Sequence, residues 1–331
     1  MSVSILRSGV LDTIQDTGRY GSGNLGININ GPMDLYAMKL SNLLVSNAME
    51  KPVLEIHFPA PQILFEQNAL ISITGADFSP SINGEPISNW KPVVVKRKSV
   101  LQFSYRKWGA RCYIAVHGGF CVPKWLNSYS TNLKARSGGW CGRKLEKGDE
   151  VPFGETDLYF PALLKESSIE EMPWSIDAKG AYQFPHEISF ICGKEWDLLT
   201  AESQQKLLQN NFIIHPSSDR MGYHLRGPEM KPKEDFQLVS AAVSFGTIQL
   251  LPNNLLIILM ADHQTTGGYP RIGHVISAHL PKLAQLAASD PVKLKPVDIG
   301  TAEQLLFAQE REIQIIATSC QERMKTAICQ A

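Results

Sequence analysis

The apolar residues in the first half of this chain come in runs too short for helices and too rich in β-branched and aromatic side chains to favour them. Residues 53–58, 69–74, 93–95, 100–105 and 111–116 form such runs, each set off by turn-forming residues, and that pattern predicts strands. Asn83-Gly84, between Ser81-Ile82 and Pro86-Ile87, is the strongest local hairpin signal, because a type I′ turn needs positive φ at both central positions. One helix is expected after Gly31-Pro32, where Tyr36, Leu40, Leu43, Leu44 and Asn47 recur at helical spacing and Pro32 suits a first turn.

At 331 residues the chain is long enough for about two domains, each with its own core. Residues 160–185 break every hydrophobic period with Glu, Ser, Pro and Lys-Gly, so the boundary is placed there. The resulting division is 1–160, a linker over 161–185, a second domain over 186–300 and a helical tail over 301–331. In the second half strands are expected at 187–192, 243–250 and 255–260, and helices over 200–209 and after Pro281. Leu305, Leu306, Ile313 and Ile316 give the tail an apolar stripe over 302–318. The halves also echo one another. Gly118-Gly119-Phe120 matches Gly267-Gly268-Tyr269, and Gly148-Asp149-Glu150-Val151 matches Ser289-Asp290-Pro291-Val292. Two similar β-barrels and coincidental hairpin punctuation both fit this repeat.

Composition excludes several classes of function. Lys plus Arg and Asp plus Glu both number 32, so no net field draws the chain to nucleic acid or anionic lipid. The longest apolar run, 255–261, stops at Asp262 and falls far short of the ~20 residues of a membrane helix. The start of the sequence has no basic segment followed by an apolar one, and the six cysteines contain no Cys-x-x-Cys pair. These features lead us to expect reduced thiols and a cytoplasmic location. The eight histidines show no ligand spacing, and no metal site is expected.

Several motifs have two readings. Gly21-Ser22-Gly23-Asn24-Leu25-Gly26 fits G-x-G-x-x-G, but no strand precedes it and no helix opens on its last glycine, so a plain turn is expected. Lys39, in Ala37-Met38-Lys39-Leu40, resembles a biotin-attachment lysine, yet it falls inside a predicted helix rather than at an exposed hairpin turn. No Walker loop, G-x-S-x-G or H-E-x-x-H is present. Residues 262–269 follow an apolar strand with Asp262, His263, Gln264, Thr265, Thr266, Gly267, Gly268 and Tyr269. This loop suits a small polar ligand, or it is an elaborate hairpin connection. Arg220, in Ser218-Asp219-Arg220-Met221-Gly222, offers a fork for a carboxylate or phosphate, or it pairs with Asp219 to order a turn.

Taken together, residues 13–19 (Thr-Ile-Gln-Asp-Thr-Gly-Arg), Gly31-Pro32-Met33-Asp34, Thr74-Gly75-Ala76, Ser130-Thr131 before Gly142-Arg143, residues 218–222, Gly246-Thr247-Ile248-Gln249 and residues 262–269 resemble one family. It is the family of the 5-oxoprolinase C subunits, also described as allophanate hydrolase subunit 2 or the biotin-dependent carboxyltransferase family, and the resemblance runs from Val3 to Leu294. It implies a mainly β fold of two cyclophilin-like β-barrel domains with a few short helices. The activity it implies is an ATP-dependent 5-oxoprolinase, opening 5-oxo-L-proline to L-glutamate through a phosphorylated lactam in a heteromeric complex with B-type and A-type partner subunits. ATP with Mg2+ would then be shared with a partner, since this chain lacks a nucleotide loop, and no covalent biotin is expected on it. The lone chain is expected to be inactive. Other roles in the family are antagonism of a histidine-kinase inhibitor and the carboxyltransferase part of a urea-carboxylase-like biotin enzyme. Tyr129 stands where an arginine is usual, and Asn253-Asn254-Leu255-Leu256 stands where Asp-Gly-Gln-Pro is common. Arg220, Asp262 and Gln264 are expected to be catalytic, with Arg220 on the ligand anion. Gln249, Thr265, Thr266, Gly267, Gly268 and Tyr269 are expected to bind substrate, and Asp16, Arg19 and Asp34 mark the other place where a cleft would be sought.

Overall fold

A computed structural model describes residues 1–154, 169–184, 186–234 and 238–330. Residues 161–168 and 185 of the expected linker lie outside the described residues. The chain forms two compact units, and neither is contiguous. The first combines Met1–Arg19, Asp34–Gly180 and Arg311–Ala331, and the second combines Tyr20–Met33 with Ala181–Glu310. An early excursion thus belongs to the second unit, and the end of the C-terminal helix belongs to the first. Neither exchange is visible in local sequence pattern.

In the first unit two six-stranded sheets share one core. One sheet runs in the order Glu150–Pro152, Ser2–Arg7, Gln62–Phe65, Val100–Phe103, Pro80–Ile82 and Glu85–Pro86. The other runs in the order Ile169–Glu171, Pro92–Val95, Ala69–Asp77, Trp108–Val116, Val53–His57 and Thr13–Gln15. The expected single barrel is here a pair of sheets. Leu54, Ile56, Ile71, Ile73, Val93, Val95, Cys112 and Ile114 point from the second sheet into the core, where they meet Val3, Ile5, Ile63, Phe65 and Leu101 of the first. Alternate residues point the other way and are buried as well, beneath helix α1 (Leu35–Leu44). Ser72 Oγ donates to the Ser41 carbonyl and Thr74 Oγ1 to the Ala37 carbonyl. Burial on both faces explains why these strands read as continuous apolar runs. The helix begins after Asp34, whose carboxylate accepts from Ala37 N–H at 2.9 Å, so Asp34 rather than Pro32 opens it. Asn83 and Gly84 have φ of 52° and 88° and join paired strands, Ile82 lying opposite Glu85.

The second unit is a closed barrel of seven strands, in the order Glu187–Cys192, Arg271–Val275, Thr247–Leu250, Leu256–Leu259, Gly222–Arg226, Asn211–Ile214 and Pro291–Pro296. The last strand returns parallel to the first and closes it. Ile188, Phe190, Phe212, Leu225, Ile248, Ile258, Ile272 and Val292 fill the interior. Helix α2 (Ala201–Gln209) starts from Thr200, whose hydroxyl accepts from Ser203 N–H, and α3 (Leu280–Ala284) follows a 3-10 turn. The expected strand over 243–250 is shorter, Thr247–Leu250. Ahead of it Ala241–Ala242 pairs outside the barrel with Thr266–Gly267. Helix α4 covers Ile299–Gln330, 32 residues, where a helical tail was expected over 301–331 with an apolar stripe over 302–318. Among the described residues no helix is long and apolar enough to cross a membrane.

Candidate functional site

The loop after the barrel strand Leu256–Leu259 holds two kinds of side chain, one committed to the protein and one not. Arg220 and Asp262 belong to the first kind. Arg220 Nε donates to Asp262 Oδ2 and Nη2 to Oδ1, both at 2.9 Å. Nη2 also donates to the Gly31 carbonyl at 2.6 Å, and Asn30 Nδ2 donates to Asp262 Oδ1 at 2.8 Å. The backbone repeats the junction, with Asp262 N–H donating to the Arg220 carbonyl at 2.7 Å. Arg220 is 4% exposed. A buried guanidinium committed in this way fastens the turn at Asn30-Gly31 to the base of the loop, which corrects the expectation that it meets a ligand anion. Asp219 turns instead to its own backbone, accepting from Met221 N–H at 2.7 Å.

Beyond this clamp the side chains are uncommitted. Among the described residues, Gln264, Thr265, Thr266 and the Tyr269 hydroxyl find no side-chain hydrogen bond. Gln249 is 1% exposed, and its one side-chain bond among those residues, from Nε2 to the Tyr269 carbonyl, is 3.4 Å long. A buried carboxamide so weakly paired forgoes much of the stabilisation a full partner would provide. It lies directly beneath Gly267, where a Cβ would stand 2.8 Å from Gln249 Nε2, so a side chain there would have to push the amide aside.

The loop backbone is held on one edge. Val243 N–H donates to the Thr265 carbonyl at 3.2 Å, and Ala241 lies opposite Gly267. An antiparallel ladder alternates the direction of its polar groups, so Thr265 and Gly267 face the 241–243 strap while Thr266 turns its N–H the other way. His263, 5% exposed, lies beside the clamp. Its Nδ1 donates to the Gln264 carbonyl at 2.5 Å, which leaves the lone pair on Nε2, and burial holds the ring below the usual histidine range. His274 is lowered too, by burial first and by His263 second. Its Nδ1 lies 3.4 Å from Thr247 Oγ1.

The alternative cleft residues all lie in the first unit and are structural there. Asp16 accepts from the Ser128 and Ser130 hydroxyls at 2.6 Å each, from Tyr129 N–H at 2.6 Å and from Gly18 N–H at 3.0 Å. Arg19 stacks 4.3 Å over Trp125 and donates to the Trp125 and Ser130 carbonyls. With Asp34 capping α1, this cluster organises loops and offers no uncommitted charge. The glycine segment 21–26 forms a 3-10 turn at Gly23–Leu25. A Cβ added at Gly21, Gly23 or Gly26 would meet nothing within 4 Å, so no close approach of protein groups requires these glycines. Among the described residues no group of three His, Cys, Asp or Glu is placed to hold a metal ion.

Residues 25–296 match the family described as carboxyltransferase domain, subdomain A and B. The chain belongs to this carboxyltransferase domain family. This member is 33% identical to the C subunit of 5-oxoprolinase from Haemophilus influenzae over 293 residues, 88% of this chain and 90% of that protein. It is 32% identical to the C subunit of 5-oxoprolinase from Escherichia coli over 318 residues, 95% and 97% of the two chains. The crystal structure of Kluyveromyces lactis urea amidolyase superposes with a TM-score of 0.85 at 28% identity, covering 95% of this chain and 20% of that one. The chain therefore spans about a fifth of that larger protein.

In this carboxyltransferase-family chain Tyr129, the departure from the family arginine, lies under the Lys124 ammonium, which is 5.0 Å from its ring. Asn28 and Asn30 were not legible as site residues, and His263 was read only as part of the 262–269 loop. Asn28 Nδ2 donates to the His263 carbonyl at 3.0 Å, and Asn30 sits at φ 56°, where asparagine is tolerated. Two asparagines just after a glycine segment were the available signal.

Proposed function

We propose that this chain is the C-type subunit of an ATP-dependent 5-oxoprolinase, opening 5-oxo-L-proline to L-glutamate together with B-type and A-type partners. The two relatives named as 5-oxoprolinase C subunits, matched over nearly their whole length, support the reading. The observation that carries it in the molecule is Gln249, a buried carboxamide with one long hydrogen bond. A lactam presents N–H and C=O on one edge, and a carboxamide presents the complementary edge, so the two form a pair of hydrogen bonds without any charge. Gln264 and the Thr265, Thr266 and Tyr269 hydroxyls supply further neutral partners. Such a lining matches the neutral lactam edge of the ring.

A lactam in an unstrained ring resists water because its nitrogen is a poor leaving group. ATP with Mg2+, which we place on the partner, would supply the phosphoryl group that activates the lactam oxygen. This chain's residues position the ring and exclude water. Gln249 and Gln264 orient the amide, Thr266 N–H faces developing negative charge, and the Arg220–Asp262 clamp keeps the loop in place. His263 Nε2 is the available proton acceptor.

The test is ATP-dependent glutamate formation by the purified chain alone and with its cognate partners. Turnover is expected only with partners, and Gln249→Leu is expected to lower kcat/KM by about 100-fold while leaving the complex assembled. Strong turnover by the lone chain, or none with any cognate partner, overturns the reading. The likeness to urea amidolyase favours one second reading, the carboxyltransferase part of a urea-carboxylase-like enzyme. Lys39 lies inside α1 and not at a hairpin turn, so that reading needs a biotin carrier on another chain.

A further inference from the structure

The strongest unused chemistry in the second unit lies away from the loop, where α3 meets the first barrel strand. His279, just before α3, points Nδ1 at the backbone of Glu187–Cys192 and accepts from Ser189 N–H at 2.9 Å. An amide N–H only donates, so Nδ1 carries the lone pair. A neutral imidazole then has its proton on Nε2. With Nδ1 accepting, the ring is neutral, and burial, first, holds His279 down at about 4. Nε2 faces Lys282 Nζ at 3.4 Å. The Nε2–H can be satisfied there only by an amine with a free lone pair, because an ammonium has three donors and no acceptor.

The surroundings favour the amine over the ammonium. Lys282 is half-buried and makes no ion pair among the described residues. The nearest acid is Glu187, whose carboxylate is taken by Lys295 at 3.2 Å. Burial lowers Lys282 from the usual lysine range, and Glu187 only partly opposes this. The other charged groups near this pair are Glu187 and Lys295 themselves, so the site carries little net field.

We propose that Lys282 is an acyl-acceptor site: a neutral, nucleophilic amine, oriented by the His279 Nε2–H, that reacts with small activated acyl groups such as an acyl phosphate. The amine lone pair attacks the carbonyl carbon, a C–N bond forms, and the C–O bond to phosphate breaks with phosphate taking the electron pair. The proton released from nitrogen passes to phosphate or water. The product is a neutral amide whose carbonyl accepts the His279 Nε2–H in place of the amine. Because no ion pair is lost, acylation costs the fold little. A carbamate from carbon dioxide would place an anion beside Glu187 and is disfavoured.

The experiment treats the full chain with acetyl phosphate across a pH series and follows each lysine by peptide mass spectrometry. At pH 7.5 Lys282 is expected to react about tenfold faster than exposed Lys293, and its rate should level off at a lower pH. His279→Leu is expected to remove most of that advantage. Should that variant fold poorly, Glu187→Gln at a partly exposed position is expected to move the plateau of Lys282 further down. A wild-type Lys282 that reacts no faster than Lys293, or whose rate still climbs with pH alongside it, overturns the proposal.

Discussion

Asp12 shows how a single buried group sets the pH response of this fold. Its side chain is fully enclosed, Oδ2 accepts from Gly9 N–H at 2.6 Å, and Oδ1 has no partner among the described residues. Burial pushes it up from 3.8 to about 7, against the smaller opposing pull of the Gly9 N–H and of Lys144. The folded form therefore holds a proton that the unfolded chain releases near pH 4. The associated stability is fully present below pH 4 and is lost as pH rises through 7, a cost on the order of 4 kcal/mol at 1.36 kcal/mol per pH unit. Asp12→Asn should flatten urea-unfolding stability between pH 5 and 8 and gain over the wild type at pH 8; an unchanged slope would refute the assignment. The clamp and the amide should part ways under the same measurement. Arg220→Ala leaves the half-buried Asp262 without its cation and should cost about 3 kcal/mol. Gln249→Leu gives up one long hydrogen bond and should cost under about 1.5 kcal/mol, while removing activity. The two were not distinguishable in sequence: Arg220 and Asp262 are 42 residues apart, and no local pattern says that one neutralises the other. The polar loop at 262–269 was legible because it interrupts an apolar strand.

Among the elements, the internal repeat has a physical basis in one of its two matches. Asp149 accepts from Glu146 N–H at 2.7 Å and Asp290 from Ala287 N–H at 2.8 Å, and each returns its own N–H to the same residue's carbonyl. Each turn then feeds a strand, Glu150–Pro152 in one unit and Pro291–Pro296 in the other. The glycine match fails by the same standard, since Gly118 and Gly119 adopt φ of 85° and 75° while Gly267 and Gly268 stay out of the positive-φ region. Residue identity was readable there, and backbone conformation was not. The 241–243 strap escapes the sequence because its two-residue strand gains its pairing only from the loop opposite. Ala241→Pro removes a donor on that edge and should lower kcat/KM of the assembled enzyme about tenfold with little change in melting temperature; an unaffected kcat/KM would mean that the strap does not position the loop.

On the scale of the whole molecule, strand content follows from short apolar runs, but the discontinuity of the units does not, because segment exchange is a property of tertiary packing. The C-terminal helix makes this testable. Ile313, Cys320 and Met324 are buried and lie in the stretch that belongs to the first unit. A chain ending at Glu310 should lose amide protection in Val53–His57 and Trp108–Val116 while the barrel strands of the second unit keep theirs; equal loss in both by hydrogen exchange would show that the helix matters globally. The same arrangement bears on the order of events during synthesis. Met1–Arg19 and Asp34–Gly180 emerge first but wait for Arg311–Ala331, and Tyr20–Met33 waits for Arg220 before Gly31 and Asn30 have their partners. A domain made of one stretch can fold as soon as it clears the ribosome. Here the second unit has all its parts only at Glu310 and the first only when the last helix is finished, so the nascent chain carries exposed β-rich segments for most of its translation.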